Sequence, residues 1–199
     1  MNLDTPRLRM FAGPNGSGKS TFKTMLRREL LGIYINPDQI EKEIGERGFL
    51  DLGHYQVQAE GRDILEFFIK SPLLERADCL EDAEFLRFND NKLSFHDVAS
   101  NAYFASVAAD FIRQKLIHNS KSFTFETVMS FPDKIDLLRK AQSRGYRTYL
   151  YYVATDDPSI NISRVHHRVS VGGHTVPEDR IISRYYRSLD LLKRCLDRS

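Results

Sequence analysis

Apolar residues fall at two different spacings along this chain, and the switches between them mark out strands and helices. Leu8-Arg9-Met10-Phe11-Ala12 is a short, largely apolar run closed by Gly13. From Lys19 to Leu31 the apolar positions Phe22, Met25, Leu26, Leu30 and Leu31 have helical spacing, and Gly32 ends that helix. Ile33-Tyr34-Ile35 reads as a buried strand, and Asn36-Pro37 starts the next helix with a capping residue and a first-turn proline, which puts Asp38 at the tip of that strand. Between Glu41 and Lys92 no strand signal stands out, whereas Ile64, Leu65, Phe67 and Phe68 form a helical patch, so residues 41–95 are expected to be a helical insertion. Ser94 with Asp97 resembles a capping box, and Val98, Tyr103, Val107, Phe111, Ile112 and Leu116 predict a long helix after it. Ser122 to Glu126 is an alternating β-prone run, Ser130 and Pro132 open a helix that Gly145 closes, and Thr148 to Ala154 is the most strand-like run in the chain. Asp157-Pro158 starts another helix, and Pro177 to Leu196 is helical again. Alternating strands and helices predict an α/β fold, with a parallel sheet covered by helices on both faces.

Composition narrows the class and charge locates the chemistry. With 199 residues, 41% hydrophobic and 28% charged, the chain has the make-up of one globular domain rather than a disordered or fibrous polymer. A net charge of +2 gives no bulk argument for nucleic acid or an anionic membrane as partner. No apolar run approaches a membrane span, Met1 to Phe11 has no signal-peptide core, and the two cysteines, Cys79 and Cys195, make no disulfide framework. A cytoplasmic protein is expected. Along the chain the charge is uneven: residues 41–90 hold 13 acids against 6 bases, while residues 139–198 hold 12 bases, ten of them Arg, against 6 acids. Arginine's planar fork suits bidentate contacts to phosphate oxygens.

Gly13-Pro14-Asn15-Gly16-Ser17-Gly18-Lys19-Ser20-Thr21 fits the phosphate-loop pattern, placed between a strand and a helix as that pattern requires. Its glycines allow backbone amides to point at a β-phosphate, Lys19 can reach the β- and γ-phosphates, and the Ser20 hydroxyl can ligate Mg²⁺. ATP with Mg²⁺ is the expected ligand. The string also suits transport-type ATPases, and Ser170-Val171-Gly172-Gly173-His174 superficially resembles their signature, but no apolar strand ending in Asp-Glu follows it. Nor is there an Asn-Lys-x-Asp string to select guanine. A small-molecule kinase needs a carboxylate for the acceptor hydroxyl, a magnesium site and cations for the transferred phosphoryl group. Asp38 and Glu126, each at a strand end, are the carboxylate candidates; the alternatives are a first-turn acid favoured by the helix dipole for Asp38 and a turn residue satisfied by backbone amides for Glu126. Arg164 and Arg168 lie four apart on one helix face, and Arg180, Arg184 and Arg187 on another. Gly172-Gly173 between the two sets is what a hinged lid over residues 159–180 would need.

Together Phe11 to Thr21, Ile35-Asn36-Pro37-Asp38, Ser122 to Ser130, Gly145 to Val153 and Arg164 to Leu189 resemble the zeta-toxin family of kinases, across most of the chain apart from residues 41–92. The resemblance implies a P-loop kinase fold over residues 1–199. It also implies transfer of the ATP γ-phosphate to a hydroxyl of a nucleotide sugar such as UDP-N-acetylglucosamine, and a toxin restrained by an antitoxin protein. On it, Lys19 holds phosphates, Ser20 the magnesium, Asp38 acts as base on the acceptor, Glu126 and Thr127 lie next to the acceptor, and Arg164 and Arg168 face phosphate. His174 matches the family's pattern without an assigned chemistry. Acceptor selectivity is expected in residues 41–92. Relatives continue past Ser199 into a final strand, so an open sheet edge is expected. The different-class alternative is a P-loop ATPase or partner-binding module that phosphorylates no small molecule.

Overall fold

The computed structural model describes residues 5–99, 101–172 and 175–196. In chain order the first elements are β1 (Arg7–Ala12), α1 (Lys19–Thr24), α2 (Arg28–Leu31), β2 (Ile33–Ile35), α3 (Pro37–Arg47), β3 (Phe49–Asp51) and a 3₁₀ turn (Leu52–Tyr55). Next come α4 (Gly61–Ile69), α5 (Pro72–Arg76), α6 (Leu80–Ala83), β4 (Arg87–Asn89), β5 (Lys92–Ser94) and α7 (Ala102–His118). The chain closes with β6 (Phe123–Thr127), α8 (Asp133–Ser143), β7 (Arg147–Tyr152), α9 (Pro158–Ser170) and α10 (Glu178–Leu196). They form two compact units, residues 1–32 with 124–199, and residues 33–123.

In the first unit β1 lies between β6 and β7. It runs parallel to β7, in register from Arg7 opposite Arg147 to Ala12 opposite Tyr152. Leu8, Met10, Phe11 and Ala12 are fully buried, as are Phe123 and Phe125 of β6. Near-continuous burial is what a parallel strand covered on both faces requires. The single helix expected over Lys19 to Leu31 is instead two short ones. Its apolar spacing is not a core stripe: Met25 is 73% exposed and Leu30 45%. With Met25 and Leu30 left in solvent, the last turn of α1 tightens to three-residue bonds, Met25 N–H to Phe22 O and Leu26 N–H to Lys23 O at 3.1 Å each, and Arg27 turns extended.

In the second unit α3 buries Ile40 and Ile44, α7 buries Phe104, Ala105, Ile112 and Leu116, and Phe68, Phe95 and Phe104 pack ring against ring. The expectation of a purely helical insertion is corrected here: β3, β5 and β4 form a three-stranded antiparallel sheet in that order. Each strand has three residues, too few to show alternation. Asp90 and Asn91, with φ of 49° and 60°, close the β4–β5 hairpin as a two-residue turn whose left-handed residues match the twist of the strands. The long helix also starts later than the capping-box spacing predicts. Ser94 sits in β5 opposite Phe49, Phe95 N–H bonds to Gly48 O at 2.8 Å, and Asn101 caps α7 by accepting from the Tyr103 and Phe104 N–H groups.

Candidate functional site

Strand β1 delivers the chain into Gly13, and the residue there must be glycine. Its φ is +141°, and a Cβ would lie 2.0 Å from the Val153 carbonyl oxygen. Gly16 is held as closely, since a Cβ on it would lie 2.5 Å from Asn161 O. The loop wraps into α1, whose first turn carries no acidic side chain. Lys19 folds back across it, its ammonium donating to Gly13 O at 2.7 Å and Pro14 O at 2.9 Å. The Ser20 hydroxyl donates to Glu126 Oε2 at 3.3 Å, bringing the end of β6 to the loop. Ser17 is 4% exposed, and its Oγ has no hydrogen-bond partner among the described residues. A buried hydroxyl without a partner is costly, and a phosphate oxygen in the loop would satisfy it.

The C-terminal helices close on the same loop. Asp157 caps α9 by accepting from Ser159 N–H at 2.6 Å, and hydrogen bonds from the Ser159 hydroxyl and backbone hold its carboxyl below the usual carboxylate range. From α9, Arg164 Nη1 lies 3.3 Å from Ser17 O and 3.5 Å from Gly16 O. From α10, Arg184 Nη1 lies 3.5 Å from Asn15 Oδ1. A cleft of about 470 Å³ opens beside the loop, lined by Thr21, Phe22, Met25, Val153 and Arg164 among others. The Phe22 ring is propped by Phe11 and Tyr151, both 6.1 Å away between centroids. Such a partly apolar wall beside a phosphate loop offers a planar base a surface to stack on.

The sequence-predicted residues are thus partly gathered. Lys19, Ser20, Glu126, Arg164 and Arg184 meet at residues 13–21. Glu126, which the resemblance puts next to the acceptor, accepts from the hydroxyl of the expected magnesium ligand, Ser20. Thr127 is half-buried, and its Oγ1 accepts from Met129 N–H at 3.1 Å, which leaves the hydroxyl proton free to be donated. Arg168 follows Arg164 by one turn of α9 and is half-buried. Arg187 turns to the Phe131 ring, 5.2 Å from its centroid, and Arg180 is exposed. Asp38 belongs to the other unit, exposed in the first turn of α3, where its N–H donates to Asn36 Oδ1 at 3.0 Å. Gly173 and His174 lie outside the described residues.

Asn161 was not singled out by its sequence context. It is fully buried, although Ile160 beside it is 39% exposed, because its Nδ2 donates to Asn15 O at 2.5 Å while its Oδ1 accepts from Thr155 Oγ1. The apolar pattern points to the isoleucine; the loop carbonyl's need for a donor puts the asparagine inside. Asn161→Ala is expected to cost about 1–3 kcal/mol of stability, since it removes two hydrogen bonds to the half-buried Asn15 and Thr155, and to weaken ATP binding as the loop loosens. Thermal denaturation and titration with a fluorescent ATP analogue measure the two effects.

A family model described as Zeta toxin matches residues 91–196, more than half of the chain. The chain belongs to the zeta-toxin family. The match takes in Glu126, Thr127 and the arginines of α9 and α10, while the phosphate loop and Asp38 lie N-terminal to it. An uncharacterised Haemophilus influenzae protein is 32% identical over 63 residues, which cover 32% of this chain and 45% of that protein. The chain therefore spans less than half the length of that relative. Among solved structures, a chain of the Pnkp1/Rnl/Hen1 RNA repair complex superposes with a TM-score of 0.56 at 13% identity, covering 96% of this zeta-toxin chain and 46% of that one. A candidate kinase from Chloroflexus aurantiacus J-10-fl gives 0.53 at 12% identity, over 93% of this chain and 80% of its own. At these identities the likeness shows the fold, which is α/β and P-loop kinase-like. Among the described residues no helix is long and apolar enough to cross a membrane.

Proposed function

We propose that the chain is an ATP- and Mg²⁺-dependent phosphotransferase that moves the γ-phosphoryl group to an alcohol hydroxyl of a nucleotide sugar, UDP-N-acetylglucosamine being the leading acceptor. The bond between Ser20 and Glu126 is the observation that carries this reading. It sets the loop's hydroxyl against a carboxylate from the end of β6, the kind of pair with which P-loop enzymes hold magnesium. Among the described residues no cluster of three His, Cys, Asp or Glu forms a metal cage, so the fit is to an ion that arrives with its nucleotide phosphates. When bound, magnesium supplies neutralisation of the phosphate charge.

The residues divide the remaining work. Lys19 exchanges its two loop carbonyls for phosphate oxygens, the Ser17 hydroxyl gains a partner, and the loop's backbone N–H groups, Pro14 having none, orient the β-phosphate. Arg164 and Arg184 offset the charge that builds on the transferred group. Asp38 takes the proton of the acceptor hydroxyl as its oxygen bonds to the γ-phosphorus, and the bond from that phosphorus to the bridging oxygen breaks to release ADP. The Thr127 hydroxyl donates to the acceptor. Glu126→Gln is expected to raise the Mg²⁺ concentration needed for half-maximal activity by about 10- to 100-fold, as loss of an outer-shell carboxylate does elsewhere. A carboxylate serving only the acceptor would raise the acceptor KM instead.

Incubation of the purified chain with γ-labelled ATP, Mg²⁺ and a panel of UDP-sugars tests the reading. Label in a sugar supports it; label in none, with nucleotide still bound, leaves a P-loop ATPase or binding module. The family points further to a toxin held in check by an antitoxin protein. Induction without such a partner is then expected to stop growth, and undisturbed growth at good expression contradicts that role.

A further inference from the structure

Helix α10 carries more than arginines. The Tyr152 hydroxyl donates to Ser188 Oγ at 2.9 Å, and Ser188 Oγ donates to the Val128 carbonyl at 2.8 Å. Ser188 is fully buried, so its hydroxyl serves this relay and not solvent. The turn it grips is a strained one: Met129 is fully buried with φ of 53°, a left-handed conformation that a residue with a side chain keeps only where its surroundings impose it. Inside the turn Met129 N–H bonds to Thr127 Oγ1, and one residue earlier Glu126 holds Ser20.

Two neighbours of Ser188 reach other loops. Arg184 lies against Asn15 of the phosphate loop, and the Tyr185 hydroxyl donates to Thr155 O at 2.6 Å. Residues 184, 185 and 188 fall within about 100° of arc on a helix of 3.6 residues per turn. One face of α10 therefore touches the loops that follow β1, β6 and β7. We infer that Ser188 is a positioning residue, which through Val128 fixes the Glu126–Thr127 turn in register with the phosphate loop that Arg184 contacts. A hydroxyl is needed because one atom must accept from Tyr152 and donate to Val128. Burial pushes the Tyr152 phenol up, so it remains a donor at neutral pH. The inference rests on the proposed function in so far as Glu126 and Thr127 serve metal and acceptor.

The test compares Ser188→Ala, Tyr152→Phe and their combination in the full chain, by the affinity for fluorescent ATP, by kcat for the acceptor and by hydrogen exchange of the Met129 amide. The expected result is nucleotide affinity within about threefold of wild type, kcat lower by about tenfold, and Met129 exchange faster by about tenfold. The double variant is expected to be no worse than Ser188→Ala, because the Tyr152 hydroxyl acts on the turn through Ser188. Wild-type kcat and exchange in Ser188→Ala overturn the inference, as does a proportionate fall of affinity, kcat and thermal stability. Tyr152→Phe leaves the Ser188–Val128 bond in place and is expected to shift kcat and exchange in the same direction but by less; should Ser188→Ala not fold, Ser188→Cys, which keeps the volume and weakens the donor, is measured in its place with the same expected and overturning results. If wild type phosphorylates no acceptor, the kinase reading fails alone; faster Met129 exchange at unchanged affinity then still supports the positioning role, and unchanged exchange rejects it.

Discussion

Lys19→Ala is expected to lower phosphoryl transfer by about 10²–10³-fold or more, the scale seen when one preorganised donor to a developing charge is removed. The ammonium is already aimed across the loop, 2.7 Å from Gly13 O and 2.9 Å from Pro14 O. Those carbonyls hold it where phosphate oxygens arrive, so little side-chain ordering remains at the moment of binding. Alanine removes the charge and the ammonium donor to Gly13 O and Pro14 O, of which Pro14 O still accepts from Ser17 N–H. Both kcat and ATP affinity should therefore fall, and single-turnover kinetics at saturating ATP separates the two. A Lys19→Ala protein with wild-type kcat would mean that residues 13–21 are not the catalytic phosphate loop.

Asp38→Asn is expected to reduce kcat by about 10²–10⁴-fold with nucleotide affinity unchanged, the signature of a lost general base. The substitution is nearly isosteric. Asp38 is exposed and its side chain caps nothing among the described residues, the first-turn cap being Asn36, so stability should move little. An acid that only favours the N-terminal end of α3 would cost about 0.3–1 kcal/mol on neutralisation and leave turnover alone. Measuring kcat and melting temperature on the same preparation tells the two roles apart.

The parts legible in the sequence are those whose chemistry is local. The phosphate loop is read from nine consecutive residues because glycines, lysine and serine each have a role fixed by that spacing. Asp157-Pro158 announces α9, and Glu126 at the end of an apolar run marks a carboxylate at a strand end. The insertion's sheet was not legible, because β3, β4 and β5 have three residues each, and β3 pairs with β5, far along the chain, while only β4 and β5 are joined by a tight turn. Asn161 and Ser188 were missed for a different reason. Each acts on a backbone carbonyl, Asn15 O or Val128 O, far away along the chain, and a carbonyl leaves no trace in residue identity. Glu126 was visible as a candidate, but that its carboxylate holds Ser20 emerges only when β6 is brought beside the loop.

Phosphorus NMR of a reaction containing the chain, ATP, Mg²⁺ and UDP-N-acetylglucosamine tests the central claim most directly. The account predicts a new sugar phosphomonoester resonance that grows in step with ADP, one ester for each ADP. ADP accumulating with inorganic phosphate as its only companion, or ATP left intact by folded protein, would contradict it.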